Sequence, residues 1–167
     1  MSIKKQIFLG LLLAIAVAVG YLETMIPLPV AMPGARLGLS NIIILTTIVV
    51  FGQKEGFTVA LLKSFMLLLV TGAVTGFFYS FTGSLLSCVA MILAYRYIKS
   101  ATLIGISFIG SFFHNLGQVG TAIIMVKNMG LLAYLPLLLL LGLFTGYFVG
   151  LTAMIVSRHL LEMGVTS

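Results

Sequence analysis

Aspartate is absent from this chain, and the only acids among its 167 residues are Glu23, Glu55 and Glu162. Metal-dependent chemistry on diphosphates needs clustered carboxylates to hold Mg²⁺, and three scattered glutamates do not supply them. No G-x-x-x-x-G-K-[ST] loop occurs, so ATP is not bound by that route. The single cysteine, Cys88, lies inside an apolar run, which rules out a disulfide within the chain. Only two histidines are present, and no metal site is read from them. Charge of either sign is sparse: 7% of residues are charged and 61% hydrophobic. A soluble domain of this size needs far more charge to cover its surface, so this surface faces lipid. The formal net charge of +6 does not point to nucleic acid, because Lys and Arg sit at the ends of apolar runs and form no basic stripe.

What the chain does have is long unbroken runs of Leu, Ile and Val, which argue against the alternating pattern of a β-barrel. At about 20 apolar residues per crossing, the length holds about six transmembrane helices. The fold expected is all-α, a single integral membrane bundle with spans at about 6–22, 37–51, 57–70, 78–95, 103–126 and 131–156. The first segment is too long, and lacks a convincing cleavage site, for a signal peptide; it is read as a retained span. Between the first two spans, Glu23–Arg36 holds Pro27, Pro29, Pro33 and Gly34, and reads as stiff irregular chain. Six spans put Lys4, Lys5, Lys54, Arg96, Lys99 and Arg158 on one side, against Arg36 and Lys127 on the other. The positive-inside rule then makes the protein multi-pass in the cytoplasmic membrane, with both termini cytoplasmic and the proline-rich loop outside.

Several side chains need a reason to be in a membrane. Lys63 interrupts a short apolar helix, where a charge costs about 2.5–3.5 kcal/mol unless paired or hydrated. It either snorkels to the interface or supplies a cation to a ligand pocket. In span five, Ser107, Ser111, His114, Gln118 and Thr121 recur at three- and four-residue steps, with Asn115 adjacent, so this face is expected to point inward. It serves either as polar glue between helices or as part of a ligand site. Arg36 lies about a turn before Ser40 and Asn41, which start span two. A cation beside helix N-terminal donors favours an anionic group, the alternatives being a pair with Glu23 or contact with lipid headgroups. Gly10, Ala14 and Ala18 form a small-residue stripe on span one, and Gly142, Gly146 and Gly150 form another on span six. Each stripe packs either inside this bundle or against a separate membrane subunit.

The run Pro33-Gly34-Ala35-Arg36-Leu37-Gly38-Leu39-Ser40-Asn41, the segment Ser111-Phe112-Phe113-His114-Asn115-Leu116-Gly117-Gln118 and the six-span plan resemble the Gx transporter family, also labelled heptaprenyl diphosphate synthase component I. That group is similar to the substrate-binding S components of energy-coupling factor (ECF) transporters. The resemblance implies one small molecule bound near the outer face, beneath the first loop. It also implies partnership with a transmembrane coupling subunit and two ATP-binding cassette ATPases, which use the ATP; the chain itself carries no cofactor. Ala14 and Ala18 match the A-x-x-x-A face that such proteins turn to the coupling subunit. The acidic motifs of prenyl synthases are missing, so no enzyme is expected.

The expected function is thus the S component of an ECF-type importer for an anionic or amphipathic molecule: a vitamin, flavin, quinone precursor or isoprenoid. Its pocket would comprise Arg36, Asn41, Lys63, His114, Asn115 and Gln118, with Gly10, Ala14 and Ala18 meeting the partner. The alternatives are a non-transporting scaffold in a redox complex, and a lipid-modifying enzyme with His114 as base, which lacks a partner acid.

Overall fold

A computed structural model describes residues 3–27 and 35–165. Pro29, Pro33 and Gly34 of the first loop, and with them the start of the 33–41 run, lie outside the described residues. The described chain is all helix and connection: α1 (Ile3–Glu23), α2 (Asn41–Val50), α3 (Gln53–Thr71), α4 (Val74–Tyr97), α5 (Leu103–Val126), a 3₁₀ turn (Met129–Tyr134) and α6 (Leu135–Glu162). Four stretches are long and apolar enough to cross a membrane: α1, α4, α5 and the continuous 3₁₀–α6 segment. The chain is a multi-pass membrane protein.

The remaining two helices, where the sequence reads spans at 37–51 and 57–70, are not among these four. Residues 37–40 do not join α2, which is left with 10 residues. At 1.5 Å per residue it is about 15 Å long, half of a ~30 Å hydrocarbon layer. Its hydrophobicity serves the protein interior instead: Ile43, Ile44, Leu45, Ile48 and Val50 are all buried, and α2 touches α1, α3, α4 and α6. Helix α3 has 19 residues but carries Lys54, Glu55 and Lys63, which dilute its apolar character.

One end of the bundle is fixed by charge. Lys4 Nζ donates to the Gly164 carbonyl at 2.8 Å, and Lys5 pairs with Glu55. These contacts gather the start of α1, the first turn of α3 and the chain after α6. Helix α1 is otherwise peripheral, with Leu12, Ala16, Gly20 and Glu23 as its buried residues.

The polar face of α5 divides in two. Ser107, Ser111 and Asn115 turn to α6, where they donate to the carbonyls of Gly146, Gly142 (2.8 Å) and Leu138 (2.9 Å). Gly142, Gly146 and Gly150 let the helices approach closely enough for this ladder, so the second glycine stripe is internal packing. A Cβ on Gly150 would stand 2.5 Å from the Ile104 Cα and the Ser107 Oγ, whereas Gly10 on α1 has nothing within 4 Å. Gly150→Val is therefore expected to destabilise the detergent-solubilised protein by about 1–3 kcal/mol, and Gly10→Val to leave it unchanged. Thermal unfolding of the two variants side by side checks this, and equal losses would contradict the packing described.

Candidate functional site

The other face of α5 meets the chain that leads into α2. Residues 35–40 are irregular, and Gly38 adopts φ +80°, a backbone conformation that side-chain-bearing residues rarely take. Irregular backbone inside a bundle must find its hydrogen bonds locally. Two side chains supply them here. Gln118 Oε1 accepts from the Arg36 N–H at 2.7 Å, and Gln118 Nε2 donates to the Arg36 carbonyl at 2.8 Å, a reciprocal pair that pins the segment to α5. Glu23, the last residue of α1, accepts from the Leu39 N–H and from Ser40 Oγ (3.3 Å).

Lys63 enters this framework from α3. Its Nζ donates to Ser40 Oγ at 2.8 Å and to Ser84 Oγ on α4 at 2.7 Å, and the residue is 1% exposed. The snorkelling alternative is thereby set aside: the ammonium points into the protein. Through Ser40 it is linked to the Glu23 carboxylate, which also lies within electrostatic reach of Arg36. Lys63, Arg36 and Glu23 form one buried charge group.

Three further side chains close around it with polar atoms left over. The His114 ring is held between two glycines: a Cβ on Gly38 would stand 2.9 Å from its Cδ2, and one on Gly83 of α4 2.9 Å from its Nδ1. Asn41 Nδ2 lies 3.1 Å from the same Gly38 position, so the amide and the imidazole are neighbours. The Arg36 guanidinium reaches α4, with Nη2 3.2 Å from where a Gly76 Cβ would be. Arg36 Nε and Nη1, Asn41 Oδ1 and both His114 ring nitrogens are buried without a hydrogen bond of acceptable geometry among the described residues, the imidazole coming near the Gly83 backbone without good alignment. Leaving such a group unsatisfied costs about 1–3 kcal/mol. Burial lowers the pKa of the Arg36 guanidinium from its usual value, and the Glu23 charge opposes that shift.

The structure thus brings together Arg36, Asn41, Lys63, His114 and Gln118. Asn115 faces away, its amide on the Leu138 carbonyl of α6. Arg36 is 4% exposed, too buried for a headgroup contact, and makes no ion pair with Glu23 among the described residues. The α2 N-terminus is not the open set of donors expected: the N–H groups of Asn41, Ile42 and Ile43 donate to the carbonyls of Gly38, Leu39 and Ser40. Sequence reasoning gave Glu23 no role beyond pairing with Arg36, and overlooked Gly83 and Ser84. The scarcity of acids could have drawn attention to Glu23; nothing local marks Ser84.

On the outside of the bundle, Gly10, Ala14 and Ala18 are exposed. They line a groove between α1 and α3 of about 490 Å³ with Leu13, Val17 and Met66. A second hollow continues it past Gly10 and Leu13 towards Lys54 and Glu55.

A family model described as heptaprenyl diphosphate synthase component I matches residues 12–156. No curated protein and no solved structure matches the chain.

Replacing Gln118 with Leu removes both bonds to the Arg36 backbone. Trypsin, which cuts after arginine, is expected to cleave the Arg36–Leu37 bond at least about tenfold faster in Gln118→Leu, the factor given by about 1.4 kcal/mol of lost local stability. Unchanged cleavage would mean that the amide does not hold this segment.

Proposed function

Because the chain belongs to the heptaprenyl diphosphate synthase component I family, we propose that it is the substrate-binding membrane subunit, the S component, of an ECF-type importer. Its cargo is a small anionic or amphipathic molecule. The observation that carries this reading is the cluster of orphaned polar atoms on Arg36, Asn41 and His114, all at most 4% exposed, around a buried lysine. Groups that cost free energy when unpaired call for something to satisfy them, and a bound ligand is one such partner.

In this reading both termini are cytoplasmic, the Lys5–Glu55 end faces the cytoplasm and the 35–40 segment belongs to the outer half. Helices α2 and α3 complete a six-helix S-component plan. Cargo enters from outside, is held by Arg36, Asn41, Lys63 and His114, and leaves on the inner side when ATPases act through a coupling subunit. Gln118 positions the segment, and Asn115 contributes through α6. The exposed small-residue groove on α1 suits close approach of a partner helix and would seat the coupling subunit. This reading assigns the chain no catalytic role; Glu55 and Glu162 pair with Lys5 and Arg158. The family description also names a component, which fits a chain that works within an assembly. A second reading, a non-transporting scaffold in a redox complex, draws on the same groove and the same description.

Affinity capture from native membranes separates the two. A coupling subunit and ABC ATPases are expected with the tagged protein, and are lost in the Ala14→Leu, Ala18→Leu double variant without a change in thermal stability. Recovery of redox proteins in their place would favour the scaffold. Native mass spectrometry of the gently purified protein is expected to show a retained small molecule, bound at least about tenfold more weakly after Lys63→Ala with His114→Ala, a loss of about 1.4 kcal/mol or more. Undiminished retention would remove these residues from the pocket.

A further inference from the structure

The buried cluster has a charge balance that limits what it can accept. Two cations, Arg36 and Lys63, face one carboxylate, Glu23, and these three residues are 4%, 1% and 3% exposed. His114, formally neutral, and the Cys88 thiol are the other titratable groups near Lys63. One positive charge is therefore left over in a region of low dielectric, where an uncompensated ion is strongly disfavoured. A single negative charge closes the balance, whereas a phosphomonoester or diphosphate reverses it.

The donors bear on the same question. Sites that take phosphate groups surround their many oxygens with backbone N–H groups at a helix N-terminus or nest. Here the N–H groups of Arg36, Leu39, Asn41, Ile42 and Ile43 are already used by Gln118, Glu23 and the tight turn into α2. What stays without a partner among the described residues is the N–H groups of Leu37, Gly38 and Ser40, Nε and Nη1 of Arg36, the neutral His114 ring with one donor and one acceptor nitrogen, and the acceptor Asn41 Oδ1. Lys63 donates two of the three hydrogens an ammonium carries. This is a modest donor set with two acceptors beside it.

We propose that the group bound here is a carboxylate, singly charged and flanked on the ligand by a hydroxyl or N–H that donates to Asn41 Oδ1, and not a phosphorylated or diphosphorylated head. The inference rests on the binding role proposed above and narrows its substrate class.

Benzamide, benzoate and phthalate carry zero, one and two negative charges on one ring, and inorganic pyrophosphate carries more. Thermal unfolding of the detergent-purified full-length protein, titrated with each near neutral pH, gives apparent affinities. Benzoate is expected to lead the other three by at least about tenfold. Arg36→Gln, which makes the cluster neutral, should erase the advantage of benzoate over benzamide. Glu23→Gln keeps an acceptor for the Leu39 N–H but adds one positive charge, and should move phthalate ahead of benzoate. If Glu23→Gln does not fold, the Arg36→Gln comparison decides alone. A wild-type preference for phthalate or pyrophosphate, no discrimination by charge, or displacement of benzoate by phosphatidylglycerol in mixed micelles would each overturn the proposal. Capture of the ATPases alongside the wrong charge preference sinks only this inference. The right preference without capture sinks only the transport reading.

Discussion

The architecture depends on how one ammonium is kept inside the protein. Lys63 stands ten residues into α3, about 15 Å along it by the helical rise, where lipid offers no acceptor. Two serine hydroxyls, one at the start of α2 and one on α4, take its hydrogens, and the first of them passes the interaction on to Glu23. Three helices and the chain before α2 are thus tied to one cation. Removing any member leaves a buried charge or a buried hydroxyl unmatched, which is the expensive outcome in a low-dielectric interior.

Around that centre α5 works in two directions at once. Towards α6 its serines and Asn115 cap carbonyls that the glycines of α6 leave accessible, which fixes the helix pair without occupying the polar centre. Towards α4 and the 35–40 segment it presents His114 and Gln118, the first poised between two glycines and the second consumed by the backbone of Arg36. Rigid packing on one side therefore positions the polar groups on the other. The site is built on helices, with one short irregular segment laid across them.

Much of this was legible in the sequence. Helix α5 runs over 103–126 as its apolar span reads, helped by Thr102, whose hydroxyl accepts from the Gly105 N–H at 3.2 Å. The inward position of His114 and Gln118 followed from the cost of polar groups in lipid, whereas for Lys63 snorkelling to the interface was an equally open reading. The rest was hidden for physical reasons. Leu37–Phe51 reads as one apolar run, but the Gly38 conformation and the bonds from Glu23 and Gln118 keep its first residues out of the helix, and a run of Ile and Val looks the same whether lipid or protein surrounds it. A period of 3.6 gathers Ser107, Ser111, His114 and Gln118 onto one face, yet says nothing about which neighbouring helix each meets. The link from Lys63 to Ser84 joins residues 21 apart, and only the packing of α3 on α4 brings them into contact.

The shortness of α2 has a consequence for how the protein is made. A 10-residue helix preceded by irregular chain cannot be recognised as a span while it stands alone in the insertion machinery, because it neither crosses the hydrocarbon nor satisfies its leading backbone. It becomes stable only once α3, α4 and α6 surround it. Biogenesis therefore ends with an internal event: the long helices integrate first, and the short helix with the irregular segment before it is drawn in among them afterwards.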